Sequence, residues 1–246
     1  MGCCRSVAGG LATHWQRVGG VDGPDPSVAP PGRCPRWRRE LDVFARSTTV
    51  QAQLSAIDEG ITAVRDTVLP AVQGMPGCIG MSLLVDMQSG RCIATSAWQT
   101  EQAMRDSEGP ISSFRAMAMF RGRAQVHEWE IALLHRDHRT GPGAYSRVIW
   151  GQTATGRFDE AIEGFRVGGL PQLEQLDGFC SASMLVNRAT GRGVVTETFD
   201  SAAALDRSRE QAEAIRDEST RRTGVEILDV GEFELALAHL RVPELV

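Results

Sequence analysis

A dispersed set of residues occurs twice in this chain. Ile57-Asp58-Glu59, Leu69-Pro70, Gly77, Ser82, Leu84-Val85, Gly90-Arg91 and Thr95 return as Phe158-Asp159-Glu160, Leu170-Pro171, Gly178, Ser183, Leu185-Val186, Gly191-Arg192 and Thr196. Every pair is separated by 101 positions, the interval from Leu69 to Leu170. A spacing held over so many positions marks a tandem duplication, and each copy must then be one foldable unit of about 100 residues.

The chain has 246 residues, 42% of them hydrophobic, enough for two medium cores. Its net charge of −5 comes with no basic patch, so nucleic acid is not an expected partner. All 26 basic residues are arginine, which excludes a lysine Schiff base or lysine general base. The cysteines Cys3, Cys4, Cys34, Cys78, Cys92 and Cys180 form no metal-spaced pair, and those inside the repeats do not coincide under the 101-residue shift. Free thiols fit a reducing, cytoplasmic setting. No apolar run of about 18 residues is present, so no membrane span is expected.

Residues 1–42 are rich in Gly, Pro and Arg without periodicity and are expected to be disordered. Met1-Gly2-Cys3-Cys4-Arg5-Ser6 fits the formal myristoylation pattern, but a start codon mis-set upstream of Val43 is the preferred reading, and no membrane partner is expected. Order begins with the β-branched run Phe44 to Gln51, followed by a helix with Ser55 as N-cap and Ile57, Ile61, Val64 and Val68 on one face. Leu69-Pro70 and the following Gly74 and Gly77 are expected to end that helix through a proline-bent last turn. Cys78 to Asp86 and Cys92 to Trp98 read as a hairpin, Glu101 to Met119 as a helix broken near Gly109-Pro110, and Ala124 to Leu134 as a fourth strand. The pattern repeats in the second half. The expected organisation is module 1 over 43–136, a linker over 137–144 and module 2 over 145–246. Each is a ferredoxin-like β-α-β-β-α-β unit of α+β class, an antiparallel sheet with both helices on one face. The bare sheet faces are expected to be buried against each other.

Two such modules, with the helix-ending Leu-Pro, the glycine before strand two, the Gly-Arg of the hairpin and Trp98 or Phe199 closing strand three, resemble tandem antibiotic biosynthesis monooxygenase (ABM) domains of the dimeric α+β barrel superfamily. From Val43 to Val246 the chain is most similar to an actinobacterial group of two-module proteins. The resemblance implies an intramolecular α+β barrel in which the modules pair, with a further homodimer open. It also implies a ligand pocket between each sheet and its helices. Family members include cofactor-independent oxygenases of polyketide quinols, haem-degrading enzymes, isomerases and modules without catalysis. The haem-degrading members use an Asn, Trp and His constellation, and the single asparagine here, Asn187, lies on a hairpin end. Haem is therefore not expected, and with no Gly-x-Gly-x-x-Gly or Walker-type loop opening a helix neither is a nucleotide or flavin, so no cofactor and no metal are expected.

Strict alternation along the fourth strand places His127, Trp129, Ile131, Leu133 and His135 on one face. His239 is the counterpart of His135, Phe233 of Trp129 and Phe199 of Trp98. His135, His239 and His127 are the candidate proton shuttles for a phenolic substrate, against a structural role at strand ends. Arg46 and Arg147, facing the glutamates of the fourth strands, are candidates for a polar substrate contact through Glu130 and Glu234, or for structural ion pairs. Trp98, Trp129, Phe199 and Phe233 are candidate pocket walls, or core. His135 and His138 lack a third ligand at a sensible spacing for zinc. Two functions follow: a small-molecule-binding protein that oxidises an aromatic or quinol-like substrate, or a non-catalytic structural, stress-associated ligand-binding or interaction protein with a filled pocket.

Overall fold

The computed structural model describes residues 43–117, 124–240 and 244–245. The expectations for residues 1–42 and for Ala118 and Met119 lie outside the described residues. Module 1 contributes β1 (Phe44–Gln51), β2 (Cys78–Val85), β3 (Arg91–Trp98) and β4 (Gln125–Arg136). Module 2 contributes β5 (Tyr145–Gln152), β6 (Phe179–Asn187), β7 (Arg192–Phe199) and β8 (Glu226–Leu240). The strands run β1-β3-β2-β8-β5-β7-β6-β4 around a closed barrel, antiparallel at every seam. The fold is α+β and forms the expected intramolecular barrel, with the bare sheet faces meeting across its interior. The two sheets join edge to edge, β2 to β8 and β4 to β6, so no strand edge is left unpaired among the described residues.

The helices coat the outside. Module 1 has α1 (Ile57–Ala63), α2 (Leu69–Gln73), α3 (Glu101–Asp106) and α4 (Glu108–Met117); module 2 has α5 (Phe158–Gly164), α6 (Leu170–Leu173), α7 (Ala202–Arg207) and α8 (Arg209–Thr223). Ser55 does not cap α1: it lies in a 3-10 turn, and the N-cap is Ala56, with no side-chain bond. The helical run ends at Gln73 with Gly74 as C-cap, where the glycines are expected to stop it, but the proline does not bend its last turn. A π-helical turn, Val64–Val68, precedes the proline, and Leu69 donates its N–H five residues back to Val64. Pro70 then falls in the first turn of α2, where its missing N–H costs nothing. Module 2 repeats the device with the π turn Phe165–Gly169 before Pro171.

The hairpin glycines are turn residues, as expected. Gly90 and Gly191 take φ of +81° and +74°, and a Cβ on either would lie 2.4 Å from the carbonyl oxygen of Ala52 or Thr153. Those residues donate back to the glycine carbonyls at 2.8 Å, tying each hairpin to the end of its first strand.

Three regions of apolar packing result. Trp98, Val72, Met104 and Ile111, together with the Ile57, Val64 and Leu83 group, fill the space under the module 1 helices. Phe158, Phe165, Leu173, Phe179 and Phe199 do the same in module 2. Ala45, Leu84, Ile93, Trp129, Ile131, Val148, Leu185, Val194 and Phe233 converge inside the barrel.

Candidate functional site

Under the helices, where the family resemblance places a ligand, each module holds a buried arginine. Arg46 on β1 donates to the Ser107 hydroxyl at 2.9 Å and to Glu128 at 2.8 Å, with Glu108 at 3.2 Å. Arg147 on β5 meets Glu197 at 3.3 Å, Glu232 at 3.4 Å and the Leu205 carbonyl at 3.1 Å. The pairing of these arginines with β4 and β8 glutamates is the one the strand register predicts, since Arg46 faces Glu128 and Arg147 faces Glu232. Glu197 is an addition that the sequence reading does not contain. It is fully enclosed, and burial pushes its carboxyl up to about 6 against the pull of Arg147. Module 1 has Ser96 at the equivalent position, which accepts from the Trp98 indole at 3.0 Å.

Beside Arg147 runs a groove of about 890 Å³ bounded by Tyr145, Arg209, Glu213, Arg216, Glu232 and Glu234. Its charges answer one another: Arg209 bridges Glu232 and Asp206 at 2.8 and 3.1 Å, and Arg216 meets Glu213 at 3.3 Å. Glu130 stands on the outer surface, held by Arg188 at 2.8 Å, which also reaches Asp159 at 2.9 Å.

Trp98 and Phe199 have no exposed surface and belong to the helix-side cores; Phe199 packs edge-on to Phe179 at 6.0 Å. Trp129 and Phe233 point the other way, into the barrel. Trp129 donates to Ser47 at 2.8 Å, and His127 tilts against its ring at 5.6 Å. Burial, and then the charge of Arg192, push the His127 imidazole down. Phe233 meets Trp150 edge-on at 6.2 Å, with the Arg91 guanidinium 4.1 Å over the Trp150 ring. These aromatic groups fill one end of the barrel.

The other end is hollow. A cavity of about 840 Å³ runs inward from a mouth at Arg136, His138, Arg139 and His239 to a floor of Leu84, Ile131, Leu185 and Leu235. Its wall carries Ser82 and Thr95, which face each other across the β2–β3 ladder, and Ser183 and Thr196, which do so across β6–β7. In the strand order these two pairs stand on opposite sides of the barrel. Ser146 and Thr198 join their hydroxyls at 2.9 Å, but the hydroxyls of the symmetric quartet make no hydrogen bond among the described residues. All four are half-buried in mid-strand, accessible only because the cavity is there.

Strict alternation therefore fails at one point. A β-bulge between Ile131 and Leu133 turns both Ala132 and Leu133 outward onto the module 2 core and returns Leu134 to the interior. His135 consequently leaves the face of Trp129. It sits between Glu174 at 2.7 Å and Glu244 at 2.9 Å, outside the barrel. The bulge recurs between Leu237 and Leu235 on β8, and Leu237 packs on the module 1 core. Of the three histidines expected to act, only His239 borders the cavity, and only at its rim: past the β8 bulge it pairs with Met81 of the module 1 core, on the outward face as His135 is. The quartet is not marked as a site by the sequence pattern, although its four members are among the residues that the repeat preserves.

No protein-family model matches the chain. It is 55% identical over 218 residues to the uncharacterized protein Rv2557 of Mycobacterium tuberculosis (strain ATCC 25618 / H37Rv), covering 87% of this chain and 97% of that one. To the uncharacterized protein Rv2558 of the same strain it is 50% identical over 236 residues, covering 94% and 98%. Among solved structures it is similar in fold to a protein assigned as a monooxygenase from Lactobacillus acidophilus NCFM, with a TM-score of 0.60, 8% identity and coverage of 81% and 97%. An anthrone oxidase-like protein matches with a TM-score of 0.58, 15% identity and coverage of 80% and 91%. At these identities the structural likeness is one of fold.

Proposed function

From the premise that this chain belongs to the actinobacterial two-module group of Rv2557 and Rv2558, built on the ABM-type α+β barrel, we propose that it is a small-molecule-binding protein whose ligand occupies the barrel interior. The observation that carries this reading is the cavity of about 840 Å³ with four unengaged hydroxyls above an apolar floor. Its size falls in the range of ligand sites, roughly 300–1,000 Å³, and its mixture of apolar wall and few polar groups is typical of them. The space under the module 1 helices is filled by Trp98 and its neighbours, and the groove under the module 2 helices is lined by charges that pair with one another, which favours the barrel interior as the site.

The symmetry of the quartet supports one ligand class. Ser82 with Thr95 and Ser183 with Thr196 face one another across an apolar interior. An aromatic ring with oxygens on opposite edges, a quinol, offers polar groups at both sides and an apolar body between. Oxidation of such a quinol by dioxygen, without oxygen insertion, is the reaction that the oxidase-like neighbour in particular suggests. Two electrons and two protons pass to dioxygen, leaving quinone and hydrogen peroxide, and His239, at the rim rather than among the quartet, is placed to relay a phenolic proton to solvent.

Calorimetric titration with substituted hydroquinones tests binding. Ser82→Val with Thr95→Val, or Ser183→Val with Thr196→Val, should weaken it about tenfold, the worth of one or two hydrogen bonds. No heat with the unaltered protein, or undiminished affinity in both double variants, overturns the reading. Oxygen uptake above the uncatalysed rate, diminished by His239→Ala, tests the oxidation separately.

A further inference from the structure

We propose that His138, Cys180 and Asp200 form a binding site for a divalent transition metal, zinc by its donor set, at the mouth of the barrel. His138 lies in the linker, Cys180 is the second residue of β6, and Asp200 directly follows β7. Their ligand atoms lie within 4.8 Å of one another. The His138 Nε2 is 2.9 Å from Asp200 Oδ1, and the Cys180 thiol donates to that same oxygen at 3.2 Å. Around tetrahedral zinc, with bonds of about 2.0–2.3 Å, ligand atoms stand roughly 3.3–3.7 Å apart. Both separations from Asp200 are thus within a few tenths of an ångström of that spacing.

Two further observations point to a metal. The second nitrogen of His138 is engaged by Asp137 at 2.8 Å, the carboxylate–imidazole arrangement that orients metal-bound histidines and raises their basicity. The linker itself is fastened by Asp137 N–H to the Cys180 carbonyl at 2.9 Å, so histidine and cysteine are held together by backbone. The duplication supplies the contrast. In module 1 the 101-residue shift places Ile79 at the position of Cys180 and Gln99 at that of Asp200, and Gln99 makes the same 2.8 Å backbone bond to Gly77 that Asp200 makes to Gly178. Fold alone therefore asks for neither donor. Imidazole, thiolate and carboxylate together neutralise a dication and suit zinc. His138 and Asp200 are exposed, and His138 borders the cavity, leaving a fourth position open to water.

Metal-free full chain titrated with zinc(II), and separately with cobalt(II), tests the site. One ion per chain is expected, with cobalt giving a thiolate-to-metal charge-transfer band. Cys180→Ser should abolish the band, and Asp200→Gln, which installs the residue module 1 tolerates, should weaken zinc binding at least tenfold in a folded protein. Replacing Cys3, Cys4 and Cys34 by serine should leave both readouts intact. The proposal is overturned if the unaltered chain takes up no ion at micromolar concentration, or if binding survives Cys180→Ser and Asp200→Gln but is lost with the three N-terminal cysteines.

Discussion

Arg46 and Arg147 occupy equivalent places but depend on different partners. Only 2% of each residue is exposed. The carboxylates of Glu108 and Glu128 beside Arg46 are nearly half exposed, at 48% and 42%, so water can solvate them if the guanidinium is lost. Glu197 beside Arg147 is 4% exposed and has no such recourse. Removing one member of a buried pair leaves an uncompensated charge, at a cost of about 3–5 kcal/mol, whereas losing bonds to hydrated partners costs about 1–2 kcal/mol. Arg46 also carries a buried Nε without a hydrogen-bond partner, which lowers its net value further. Urea denaturation should therefore show Arg147→Met as clearly more destabilising than Arg46→Met, with Glu197→Gln restoring part of the loss. Equal effects would contradict the assignment.

Glu197 also makes a pH prediction. Its folded carboxyl titrates at about 6 against an ordinary value of 4.5, so between those values the folded state binds more protons than the unfolded one. Stability from this group is then fully present below pH 4.5 and declines as pH rises through about 6, by about 2 kcal/mol in all. Chemical denaturation from pH 4 to 7 should show a shallower decline, or a steeper rise, in Glu197→Gln than in the unaltered protein. Identical slopes would mean that Arg147 neutralises the carboxylate completely.

At the scale of elements, the bulges at Ala132 and Ala236 decide which side chains meet. The apolar and charged residues of β4 alternate well enough to identify the strand and to set Arg46 against its glutamates, though not to choose Glu128 over Glu130. A bulge, however, is a property of the closed barrel, in which the long fourth strand leaves its own sheet to pair with β6, and nothing in the local pattern of Ile131-Ala132-Leu133-Leu134 marks it. Alternation therefore misplaces Leu133 and His135 while setting His127 beside Trp129, on the barrel face and not on the helix face where the resemblance puts the pocket. The helices show a similar division. Leu-Pro is visible in the sequence, but the π turn that carries the helix past proline depends on hydrogen bonds five residues apart. Gly90 and Gly191, whose turns are local, are legible without the structure. The bulge has a measurable consequence: His135→Ala should leave hydroquinone affinity within about twofold of the original while lowering stability by about 1 kcal/mol through its two glutamate contacts. A loss of affinity comparable to that in the hydroxyl variants would place His135 inside the barrel after all.

For the whole molecule, closure means that neither module is complete alone. Beyond the bulge, Leu133 of β4 enters the module 2 core and Leu237 of β8 packs with the module 1 core, so each half lends the other a strand end. The proposed boundary between residues 136 and 145 separates the repeats in sequence but cuts through this exchange. A chain of residues 145–246 would expose the edges of β6 and β8 and lack the side chain that Leu133 supplies. Two copies can repair both defects. The repeat makes β6 the equivalent of β2 and β8 the equivalent of β4, so β8 of one copy can pair with β6 of the next. Its Leu237 then fills the place of Leu133. The seam would be self-complementary, as twofold dimers require, and the half-chain should elute and scatter light as a dimer at micromolar concentration. A folded, soluble monomer would show that the exchanged strand ends contribute little and that closure is incidental to stability. Dimerisation would instead mean that the duplication covalently joined an assembly its single module already formed. The interior cavity, walled by both halves, would then be a property of the pair from the start.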